Sequence, residues 1–91
     1  MSIFDADIEE VTKDRVIQDA AEARRILESP VFQAAHERAE AGILVRWRDA
    51  TTVEDRERCH AELHAQEEIR MALRGFIADG EVAEEQLRQA Q

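Results

Sequence analysis

Cys59-His60-Ala61-Glu62-Leu63-His64 is the densest run of chemically capable side chains in this sequence. His60 and His64 stand four apart, which puts two imidazoles on one helix face, and Glu67 and Glu68 follow one turn later. A helical metalloprotease pattern needs Glu directly after the first His as general base, and Ala61 occupies that place. A surface His pair without a third ligand and outer-shell support holds zinc weakly. His60 and His64 are therefore expected as solvent-facing histidines, and no metal is expected. Cys59 points away from the two imidazoles and reads as a small buried hydrophobe, because a nucleophilic thiolate needs an activating cation and exposure. His36, on an apolar face with Glu40 one turn later, reads as a hydrogen-bonded core-edge histidine. Trp47 between Arg46 and Arg48 reads as the large residue filling a loop end, not as a base-stacking platform. No phosphate-binding loop, dinucleotide fingerprint or catalytic triad is present, so neither enzyme activity nor a cofactor is expected.

The elements that would carry these groups are marked by punctuation at Ser29-Pro30, Thr51-Thr52 and Asp79-Gly80. Ser or Thr favours a helix N-cap, Pro its first turn, and Gly the position just past its end. A first helix is expected over residues 5–28, with Ile8, Val11, Val16, Ala20, Ala23, Ile26 and Leu27 on one broad side and Val16, Ala20, Ala23 and Leu27 as its tighter stripe. A second is expected over residues 30–49, where Phe32, His36, Ala39, Ile43, Trp47 and Ala50 share a face. Leu44 and Val45 lie off that face and, with Ile43, form an apolar girdle wider than one neighbouring helix covers. A third is expected over residues 53–78, capped by Thr51 or Thr52 with Glu54 or Asp55 closing a capping box. Its buried stripe is Cys59, Leu63, Gln66, Ile69, Leu73, Phe76 and Ile77. Residues 81–91 are expected as a short, frayed tail helix. The expected fold is all-α: an antiparallel hairpin of two long, near-equal helices, an additional N-terminal helix and the tail, in one domain over residues 1–91.

Within the third helix Glu62, Gln66 and Arg70 form a polar seam inside the apolar arc. A stranded buried charge is costly, so Arg70 is expected to snorkel and pair with Glu62 or Glu67. The sharper alternative is that the seam fixes the register of a hairpin or an assembly.

Composition narrows the function classes. Ninety-one residues with four aromatic side chains and an alanine-rich apolar set make a thin core, for which self-association is a reasonable expectation. A net charge of −9 argues against direct nucleic-acid binding, which requires a basic footprint. Of the twelve basic residues only Lys13 is not arginine, and most lie near an acid on the same helix, as on a solvated face. No apolar run approaches the roughly 18 residues of a membrane span. The N-terminus lacks signal-peptide features, and a single cysteine fits a reducing compartment, so a cytosolic location is expected.

Several landmarks occur together in order. Ala23-x-x-Ile26-Leu27-x-Ser29-Pro30-Val31-Phe32-x-x-Ala35 leads into Trp47-Arg48-x-Ala50-Thr51, then Asp55-Arg56-Glu57, Ile69-Arg70-x-x-Leu73 and Ile77-Ala78-Asp79-Gly80-Glu81-Val82-Ala83. Over about residues 23–84 this order resembles a group of small helical-hairpin proteins of tailed bacteriophages and prophages, encoded among virion-assembly genes. Cys59-His60 stands where those proteins usually carry an apolar pair, and Gln66 also replaces an apolar residue. The resemblance implies a non-enzymatic, self-associating protein acting through protein contacts in virion assembly, in the host cytoplasm or the virion. It carries over no catalytic residue. Ile43, Leu44, Val45 and Trp47, with the apolar edge of the first helix, are the candidate contact residues. Two other readings stand beside it. One is a packaging factor like the small terminase subunit, which would need DNA contact from a ring or a partner. The other is an acidic inhibitor of a host defence or nucleic-acid-binding protein, which the interleaving of Glu54, Asp55, Glu57, Glu62, Glu67 and Glu68 with arginine disfavours.

Overall fold

Ser29 alone separates the first helix, α1 (Ile3–Glu28), from the second, α2 (Pro30–Asp49). Its backbone is extended (φ −64°, ψ 123°), and its Oγ accepts the N–H of Phe32 at 3.3 Å. Pro30 follows at the first helical turn, where its missing N–H has no intrahelical partner to lose. α2 ends at Ala50, again extended, whose N–H donates to the Trp47 carbonyl at 3.2 Å. Of the two threonines it is Thr52 that caps α3 (Val53–Gln89), its Oγ1 accepting the Asp55 N–H at 3.1 Å. Asp55 turns its own carboxylate toward Arg58, at 3.6 Å. The computed structural model describes the backbone of residues 3–91 and the side chains of residues 11–91, so Ile8 of the expected α1 face lies outside the described side chains.

The protein is all-α, but its third helix differs from the expected one. α3 is a single helix of 37 residues that passes through Asp79-Gly80 without interruption, and no separate tail helix follows. The two paired helices are accordingly unequal, α2 having 20 residues. No described residue has a positive φ, so Gly80 is not a left-handed helix stop. Its role is steric. Gly80 is buried against α1, and a Cβ added there would overlap Ala20 Cβ while lying 3.6 Å from the Val16 carbonyl oxygen and 3.7 Å from Ala20 Cα. Only a residue without a side chain lets the two backbones approach so closely.

Contacts resolve into two units along the chain. One joins α1 as far as Ile26 to Ala72–Gln91, and the other is Leu27–Met71. In the first, α1 packs antiparallel on the C-terminal part of α3, with Ala20, Ala23, Gly80 and Ala83 buried and Val16, Ile17, Leu73, Ile77 and Leu87 half-buried. An Arg24–Glu81 pair at 3.4 Å flanks this contact. In the second, α2 packs antiparallel on the N-terminal part of α3, with Ile43 and Cys59 buried and Leu27, Phe32, His36 and Leu63 half-buried. The buried apolar residues are small or few, and no large side chain among the described residues is fully enclosed. Ile69 and Phe76, expected in the buried stripe of α3, are 57% and 48% exposed. They lie on the edge of that arc, and α1 and α2 cover its centre.

Candidate interaction surface

The residues on which a binding function could rest are apolar and outward. On α2, Leu44 and Val45 lie off the packed face as the helical period requires, and both are exposed. Ile43 faces inward and is buried at 3% exposure. Trp47 is half-exposed and does not fill the loop end; with Val53, Arg56, Glu57 and His60 it lines an open groove at the α2–α3 turn. The second group is on α3. Ala65, Ile69, Ala72 and Phe76 follow steps of four, three and four residues, share one helix face and are all exposed. Beside Phe76, a groove on the α1 side is floored by Ala23, Ile26 and Leu73 and edged by Asp19 and Glu22. This α3 face sits directly beside the buried stripe. Its spacing is legible in the sequence, but the two adjacent stripes merge into one when they are read as a single broad arc.

The polar seam is dispersed by the fold. Glu62 is held by Arg46 of α2 in a two-pronged contact, at 2.7 and 3.3 Å. That hydrogen bond and the carboxylate charge raise the Arg46 guanidinium above its ordinary pKa. Glu62 therefore meets Arg46 in place of Arg70. Arg70 instead lines a polar cleft with Leu27, Phe32, Gln33, His36, Glu37 and Glu40. The Gln66 backbone carbonyl lies 3.3 Å from His36 Nε2, and its side-chain Oε1 is buried without a hydrogen-bond partner. His36 also packs tilted against Phe32, ring centroids 6.0 Å apart.

The chemically capable run on α3 is likewise spread around the helix. Cys59 is a free, buried thiol. His60 borders the Trp47 groove, and His64 Nε2 lies 3.1 Å from a Glu68 carboxylate oxygen. Among the described residues no three His, Cys, Asp or Glu side chains are placed to hold a metal ion. No described helix is long and apolar enough to cross a membrane. Near the end of α3, the Arg88 guanidinium hydrogen-bonds Glu85 and holds its carboxyl below the ordinary glutamate range. Compared with protein-family models, curated proteins and solved structures, the chain matches none.

Proposed function

We propose that this chain is a non-enzymatic interaction protein that works by associating with further copies of itself. The observation that carries the reading is the mismatch between surface and core. Among the described residues the buried apolar set is Ala20, Ala23, Ile43, Cys59 and Ala83, a thin core for a chain of this length. Much of what is left open is large and apolar: Leu44, Val45 and Trp47 on α2, Ile69 and Phe76 on α3. Exposed apolar side chains in such number are characteristic of surfaces that a partner covers. The setting we assign, on the sequence resemblance, is assembly of a phage or prophage particle.

Light scattering on the purified chain at micromolar concentration tests the reading. The expected result is a mass of two or more chains and a melting temperature that rises with protein concentration, because association stabilises the folded state by mass action. A monomeric mass with a concentration-independent melting temperature would refute self-association. Mass spectrometry of purified virions then decides whether the protein stays in the particle.

A further inference from the structure

At its turn the α2–α3 hairpin carries none of the chain's net charge. From Leu44 to His60 four arginines stand against four acids, so the net charge of −9 resides wholly outside this stretch. Most of the charge here is also cancelled locally: Arg46 meets Glu62, Arg48 meets Asp49 and Arg58 meets Asp55. Arg56 and Glu57 differ. Neither side chain has an ion pair or hydrogen bond among the described residues, and both edge the groove that Trp47 and Val53 line. Leu44 stands one turn before Trp47 on α2 and extends the apolar patch. All of these residues lie within the Leu27–Met71 unit.

These features select an occupant. Two chains of this charge repel one another over most of their surfaces, so a second copy is best received where the charge cancels. A two-fold contact also requires a patch complementary to itself. An apolar patch meets that requirement without further condition, but a charged rim meets it only when it holds both signs. Arg56 and Glu57 supply one of each. A two-fold axis through the groove sets Glu57 of the second copy against Arg56, and its Arg56 against Glu57, making two ion pairs from four unpaired groups. A partner of strong net charge, of either sign, would leave one of the two facing its like. Trp47 suits the centre of such a contact, where large aromatic side chains contribute most.

We infer that the α2–α3 turn is a two-fold docking surface for a second copy of this chain, with Trp47 covered at its centre and Arg56 and Glu57 pairing reciprocally across the axis. The inference rests on the self-association proposed above and names its contact.

Trp47 is the single tryptophan of the chain, so its fluorescence reports this contact directly. On dilution its emission should move to longer wavelength over the same concentrations at which light scattering shows the mass falling to that of one chain. The rim is tested by Arg56→Glu and Glu57→Arg, each of which gives it a single sign. Alone, each variant should associate about tenfold or more weakly than the wild type; mixed, the two should pair with each other and regain most of that loss. Both positions are exposed, so circular dichroism should show helicity unchanged. An oligomer whose Trp47 emission stays constant through dissociation, or whose mass is indifferent to both charge reversals, overturns this contact but keeps self-association. A wild-type monomer with hydrated Trp47 at every concentration overturns both and leaves the patch to a different protein.

Discussion

Replacing Gly80 with alanine should destabilise the protein, although the same change elsewhere on α3 should stabilise it. In a helix interior Ala is favoured over Gly by about 1 kcal/mol. Gly75 shows that gain undiluted, since an added Cβ there meets nothing within 4 Å. At Gly80 the new methyl falls on Ala20 Cβ, an atom fixed directly to the α1 backbone that no rotamer change can move. Ordinary carbon contact near 3.5–4.0 Å then demands that α1 and α3 separate by more than about 1 Å. Overpacking of this kind costs about 1–3 kcal/mol, which outweighs the propensity gain. The difference between Gly80→Ala and Gly75→Ala cancels the propensity common to both and isolates the packing cost. At roughly 4–8 °C per kcal/mol for a domain of this size, that cost is measurable by thermal melts at fixed protein concentration. Combining Ala20→Gly with Gly80→Ala moves the methyl from one helix to the other. It should recover most of the loss, giving a coupling energy of about 1–3 kcal/mol in a double-mutant cycle. If Gly80→Ala raises the melting temperature as much as Gly75→Ala, the close approach of α1 and α3 is wrong.

Three further outcomes follow from the caps and polar contacts. Ser29→Ala removes the acceptor for the Phe32 N–H and should cost about 1 kcal/mol in urea denaturation, with Ser29→Gly costing only a few tenths. Gln66→Leu replaces a buried, unpartnered Oε1 while leaving the backbone carbonyl that His36 approaches; a gain of about 1 kcal/mol or more is expected. Glu85 has a lowered folded-state pKa, so its stabilising effect is complete above the ordinary glutamate range and is lost as the pH falls through the lowered value. Carbon-13 shifts should show the end of α3 losing helicity in acid, and Arg88→Ala should remove that dependence.

The caps were legible in the sequence because their chemistry is local. Ser29 and Thr52 satisfy N–H groups only three residues away, and no distant helix alters that preference. Asp79-Gly80 was misleading because the same dipeptide suits a helix stop and a close helix crossing. What decides between them is Ala20, sixty positions away in sequence, which removes space for a side chain but leaves the helix free to continue. A clue was present: Leu73, Ile77 and Gly80 continue the four-and-three rhythm of the buried stripe. Ile69 and Phe76 share the apolar arc of the core residues, and periodicity gives the width of such an arc but not which edge a neighbour covers. Arg46 was the better partner for Glu62 because α2 brings it there in a geometry Arg70, on Glu62's own helix, does not share.

The arrangement of the two units along the chain also bears on the order in which they form. Leu27–Met71 lies wholly between the two segments of the other unit. Its Arg46–Glu62 contact joins residues 16 apart, whereas Arg24–Glu81 joins residues 57 apart. Closing the longer loop from an open chain costs about 1 kcal/mol more in entropy than closing the shorter one. Once α2 has folded back on α3, most of that intervening chain is already ordered. The inner hairpin is therefore the favoured nucleus, and α1 docks last, completing its contact at Gly80 along a helix that the inner unit has started.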